Sequence, residues 1–94
     1  MARYHTPRGC ARSTSVQTII VSCRGDSKKH CRARAKAWGK RNGFRYGKVD
    51  CGKAGSSCRL RQAAPTAFCR GTFRTITMSR RSGVKAVVGK RKKR

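Results

Sequence analysis

The sequence predicts a small α+β fold: one basic helix beside a short two- to three-stranded sheet, with a basic N-terminal arm and a basic C-terminal tail. Three segments lead to that expectation. Residues 15–23, Ser-Val-Gln-Thr-Ile-Ile-Val-Ser-Cys, are rich in β-branched side chains and end at a turn, Arg24-Gly25-Asp26. Residues 27–38 have a helix cap, alanines and a narrow apolar stripe. Residues 67–78 form a second stretch favouring β structure. The expected division is a basic arm at 1–14, a folded domain at 15–78 and a basic tail at 79–94.

Taken in order, the arm carries Arg3, Arg8 and Arg12 among Pro7, Gly9 and Ser13, with no apolar period. The run at 15–23 is the most apolar piece of the chain, which places it at the centre of any sheet. Asp26 or Ser27 can cap the following helix by accepting from its first free N–H groups. Ala33, Ala35 and Ala37 favour helix, and Gly39 is placed to end it in the left-handed conformation. Cys31, Ala35 and Trp38 fall at i, i+4 and i+7 and form the buried stripe, with Trp38 as its main core aromatic. Lys28, Arg32 and Lys36 form a second stripe at i, i+4 and i+8, widened by Lys29 and Lys40. Arg41-Asn42-Gly43 reads as a turn, Phe44–Val49 as a weakly alternating strand, and residues 50–58 as a loop. Pro65 marks a break and Gly71 a bend in the second β-rich stretch.

Charge is the dominant feature of the composition. Lysine and arginine number 26 of 94 residues against two aspartates and no glutamate, a formal net charge of +24. Such a chain repels itself, and the dense polyanion that best relieves the repulsion is nucleic acid. Arginine supplies 16 of the 26 cations. Its planar guanidinium forks onto phosphate oxygens, so this composition favours contact over mere solubility. The expected phosphate-binding residues are Arg3, Arg8, Arg12, Lys28, Lys29, Arg32, Lys36, Lys40, Arg41, Arg45, Arg80, Arg81, Lys90, Arg91, Lys92, Lys93 and Arg94. Phe44 and Tyr46, two apart and surrounded by cations, are candidates for stacking on bases, with core packing as the competing role. The run Lys90–Arg94 suits a nucleic-acid tail, an import signal or a solvated end.

Leu, Ile, Val and Phe together number only 13 of 94 residues, too few to hold so charged a chain by core burial alone. A crosslink, a metal or a partner is therefore expected. Cys10, Cys23, Cys31, Cys51, Cys58 and Cys69 are the candidates. Their spacing contains no Cys-x-x-Cys pair, so disulfides are the first expectation and no metal site is assigned. Zinc, with His5 or His30 as supplementary ligands, and free buried thiols are the rivals. Six cysteines allow 15 pairings, and spacing does not choose among them.

No catalytic constellation is expected, since two aspartates and two histidines are scattered along the chain. His30 and Cys31 are adjacent on a helix, where side chains diverge, so they do not form a base–nucleophile pair. Arg24-Gly25-Asp26 matches an adhesion tripeptide, a match that chance supplies readily in a chain rich in arginine and glycine. The start at Met1, with no apolar leader, leads us to expect a whole translation product without a secretory segment.

In charge, size, basic extensions and small folded centre, the chain resembles ribosomal proteins in type, without a shared motif. That resemblance implies a non-enzymatic, intracellular component of a ribonucleoprotein, in the cytosol or an organelle. Its expected partners are RNA ahead of DNA and the other proteins of a large assembly, with no membrane or small-molecule substrate and no cofactor. The alternative is a small disulfide-stapled virion protein, either a minor capsid or a genome-condensing core protein. The third is an extracellular cationic effector acting on anionic membranes or glycans, disfavoured by the lack of a strongly amphipathic apolar face.

Overall fold

Threonine, isoleucine and valine at 18–21 favour extended backbone, and in a computed structural model of the chain they lie in the C-terminal half of the longest strand. The structure describes residues 9–53 and 55–93. Its elements are β1 (Cys10–Ser22), α1 (Lys28–Asn42), β2 (Asp50–Cys51), β3 (Ser57–Arg61), a 3-10 turn at Pro65–Ala67, β4 (Arg74–Ser79) and β5 (Val84–Lys92). The strands make one antiparallel sheet in the order β2-β3-β1-β5-β4, with β1 at its centre as its apolar content predicts.

A five-stranded sheet replaces the expected two or three strands. The difference has three sources. The expected loop at 50–58 contributes β2 at one end and the start of β3 at the other, where Cys51 pairs with Cys58. The expected basic tail contains β5, in which Val84, Ala86 and Val88 alternate inward beneath the cations of the opposite face. The expected arm contributes Cys10–Thr14 to β1, whose register against β5 shifts between Cys10 and Thr14 and again between Val16 and Thr18. Residues 44–49, read as a strand, form none.

Helix α1 lies against β3 and β1. Ile19, Val21, Leu60, Val84, Ala86 and Val88 meet Cys23, Cys31, Cys58 and Ala35 in the main core, with Trp38 and Phe44 packed against its edge. Ser27 Oγ accepts from the His30 N–H, so Ser27 is the cap. Asp26 instead pairs with Arg34 at 3.1 Å, and Arg34 also donates to the Ser22 carbonyl, which ties the helix to the end of β1. Lys40 and Arg41 complement the negative end of the helix dipole.

The helix runs past Gly39 and ends at Gly43, which takes the left-handed conformation with φ +80. Gly39 has a packing role instead. A Cβ there would stand 2.8 Å from Leu60 Cδ1 and 3.1 Å from Tyr46 Cβ. In an exposed helix, Gly→Ala adds about 1 kcal/mol of stability. Here the buried Leu60 has no room to give, and overpacking costs about 1–3 kcal/mol. We expect Gly39→Ala to lower the urea midpoint; a raised midpoint would show that this contact is not tight.

A second, smaller cluster covers the opposite face of the sheet. Phe68 and Phe73 stand 5.5 Å apart between ring centroids and close over Gly89, where an added Cβ would meet Phe68 at 3.0 Å. Thr72 Oγ1 accepts from the Lys90 N–H at 3.0 Å and donates to the Cys69 carbonyl at 2.7 Å. This locks residues 68–73 onto β5.

The described cysteines form three disulfides, the first of the expected states: Cys10–Cys69, Cys23–Cys31 and Cys51–Cys58. The first joins the start of β1 to the segment before β4. The others lie within the helix-side core and along the β2–β3 ladder.

Candidate nucleic-acid interface

On β3 the alternation Cys58-Arg59-Leu60-Arg61 sends Cys58 and Leu60 into the core and leaves Arg59 and Arg61 exposed. On α1 the i, i+4 spacing stacks Arg32 and Lys36 on one exposed face. Residues 47–50 return the chain from the helix to β2 between them. Together these pieces enclose an open groove of about 700 Å³ lined by Arg32, Lys36, Lys48, Arg59 and Arg61, with Gln17 and Thr18 among its inner residues. Five cations stand against one lining carboxylate, that of Asp50, for a net charge of +4. Asp50 stands opposite Arg59 in the register of the β2–β3 ladder.

The inner wall is held by hydrogen bonds. Gln17 Nε2 donates to the Ala63 carbonyl at 2.9 Å, and the Gln17 carbonyl accepts from the N–H groups of Gln62 and Ala63. Thr18 Oγ1 donates to the Leu60 carbonyl at 3.2 Å. Gln62 in turn bonds both backbone groups of Arg45, fixing the loop that follows the helix. The only ion pair among the described residues is Arg34–Asp26, outside the groove. The groove cations are exposed and make no ion pair among the described residues, so their hydrogen-bonding groups are accessible to an anion that enters.

The structure gathers two of the residues expected from the sequence, Arg32 and Lys36, into this groove. Lys28 and Lys40 continue the same helical row one turn away on either side, exposed, while Lys29 is exposed elsewhere on the helix. Arg41 lines a separate small cleft with Arg34 and Trp38. Arg45 is exposed on the loop after the helix.

The remaining expected residues lie away from the groove. Arg80 shares a cleft with Arg24 and Lys85, and the carbonyls of Arg80 and Arg81 accept from the Arg24 guanidinium at 2.6 and 2.7 Å. That pair of bonds and the Arg34–Asp26 pair occupy both charged ends of the Arg24-Gly25-Asp26 tripeptide. Lys90 Nζ bonds the Arg12 carbonyl and Thr14 Oγ1, and Arg91 sits 5.6 Å above the Phe68 ring. Lys92 and Lys93 are exposed at the end of β5, as is Arg12 on β1. Arg3, His5, Arg8 and Arg94 lie outside the described residues.

Of the two aromatic candidates, Phe44 stacks on Trp38 with centroids 5.5 Å apart and planes 7° from parallel, packed against the core. Tyr46 is 41% exposed. Lys48, Arg59 and Arg61 were absent from the expected set. The signal for the two arginines was present in the period-two alternation of residues 58–61, masked by the glycines and serines before it.

Among the described residues, no helix is long and apolar enough to cross a membrane. Comparison with protein-family models, curated proteins and solved structures finds no match to this chain.

Proposed function

We propose that this protein is a non-enzymatic binder of nucleic-acid phosphate backbones, acting as a structural component of a larger assembly of the ribonucleoprotein type. The observation that carries the reading is the groove: five cations converge on one concavity whose inner wall is fixed by hydrogen bonds. A preorganised row of cations tracks phosphates at low entropic cost and gives affinity without reading sequence. RNA is the favoured partner, with exposed Tyr46 beside the helix end available for an unpaired base.

The test is binding of a single-stranded RNA oligonucleotide by fluorescence anisotropy. Replacing Lys36, Arg59 and Arg61 together by glutamine is expected to weaken binding by about 10- to 100-fold and to reduce the salt slope by about 2–3. The control, Arg70→Gln with Arg74→Gln, removes two exposed cations away from the groove and is expected to cost less than about threefold. Equal losses in the two variants would show that diffuse charge, and not the groove, carries binding.

A second reading is a disulfide-stapled virion protein, favoured by the three bridges. Disulfides persist where the surroundings are oxidising, and a particle matured under oxidation keeps them. Full reduction of the cysteines in the native assembly would remove this reading and leave the first.

A further inference from the structure

Two of the three bridges are neighbours. Cys23 stands just beyond the end of β1, Cys31 in the first turns of α1, and Cys51 and Cys58 face each other across the β2–β3 ladder. The Cys23 and Cys58 sulfurs, which belong to different bridges, are 3.9 Å apart. The Sγ atoms of Cys23, Cys31 and Cys58 all lie within 4.8 Å of one another and are fully buried. Cys51, half-buried, is bonded to Cys58 and completes a group of four sulfurs. Cys10 and Cys69 form their own bridge at the start of β1, in the other cluster.

We propose that, when these two bridges are reduced, Cys23, Cys31, Cys51 and Cys58 form a tetrathiolate site for one zinc ion. Zinc–thiolate bonds are about 2.3 Å long, so the sulfurs of a tetrahedral site lie about 3.8 Å apart. The Cys23–Cys58 separation already matches such an edge. Breaking each S–S bond lets its two sulfurs relax from bonding to contact distance, which creates two further edges; Cys31 and Cys58 are already within 4.8 Å, and the last two edges require Cys51 to move toward Cys23 and Cys31. The least constrained ligand is Cys51, on a strand of only two residues, so it can adjust without disturbing the core. The linear spacing hides the site because its two pairs are eight and seven positions apart, wider than common chelate loops. The fold supplies the proximity.

The chemistry balances. A dithiol reductant gives two hydrogens to each bridge and ends as its own disulfide, so two equivalents leave four thiols. Zinc then forms four Zn–S bonds and releases four protons, giving a site of net charge −2. That charge is favoured within a chain of +24 and near the N-terminal end of α1. Reduction has an entry point at the half-buried Cys51. The Cys58 thiolate released there is 3.9 Å from Cys23 Sγ and can attack it, expelling Cys31 and opening the fully buried bridge.

The test uses the full chain reduced by a phosphine, which gives each bridge two electrons and ends as its oxide with oxygen from water. Native mass spectrometry with zinc should show one ion per chain. Zinc should slow alkylation of Cys23, Cys31, Cys51 and Cys58 by about tenfold or more, while Cys10 and Cys69 react as in its absence. Cobalt in place of zinc should give the intense visible bands of a tetrahedral thiolate site. Cys23→Ser should abolish one-to-one binding, whereas Cys10→Ala with Cys69→Ala should keep it. If the reduced wild-type chain binds no metal, or if protection falls on Cys10 or Cys69, the proposal is overturned.

Discussion

Replacing Cys10 and Cys69 together by alanine is expected to lower folding stability by about 4 kcal/mol, the largest effect of any single crosslink here. The bridge spans 59 positions, so its loss frees a long loop in the unfolded chain. In a domain of this size that corresponds to a fall in midpoint temperature of about 15–30 °C. The same replacement at Cys51 and Cys58, only seven positions apart, closes a short loop and is expected to cost about 2.5 kcal/mol by loop entropy. Thermal and urea unfolding of the two variants measure the order. If the Cys10–Cys69 variant loses less than about 1 kcal/mol, residues 68–73 are anchored by Phe68, Phe73 and Thr72 alone.

The second large effect is on binding. Five phosphate contacts from the groove predict a salt slope of about −3.5 for single strands and about −4.5 for duplex DNA. A rise from 50 to 200 mM salt should then weaken binding by about 130-fold for single-stranded RNA and about 500-fold for a duplex. Cations outside the groove that also meet phosphate steepen the slope further. A slope shallower than about −2 would mean that fewer than three phosphates are met at once, and the groove reading would fall.

Several of these features were legible in the residues. The β-branched run of β1 announced its place in the middle of the sheet, and the pair Asp26-Ser27 announced the helix start, with the choice between them open. The basic stripe at Lys28, Arg32 and Lys36 contains two of the five cations that line the groove, Arg32 and Lys36. What escaped reading has particular causes. Gly39 has the local signature of a helix end, but its missing side chain serves the close approach of Leu60 and Tyr46. In β5 the inward Val84, Ala86 and Val88 alternate correctly, yet Lys85, Lys90, Arg91 and Lys92 give the stretch the look of a solvated tail. The strand β3 has one leucine and one cysteine inside, too little apolar content to stand out beside a glycine- and serine-rich approach. Cysteine pairing depends on which strands become neighbours, so it could be read only after the sheet order.

The sheet order also governs when this protein can fold. The central strand β1 precedes every other strand among the described residues, but its longest partner, β5, follows all of them. During synthesis on a ribosome, Ile19 and Val21 can pair with β3 first, but their ladder is complete only once Val84 and Ala86 have emerged. Contacts this distant in sequence slow folding and leave an apolar strand open meanwhile. Truncation before Val84 would strip β5 from the middle of the sheet and leave one edge of β1 unpaired, whereas loss of Lys90–Lys92 alone would spare the pairing of Val16–Val21.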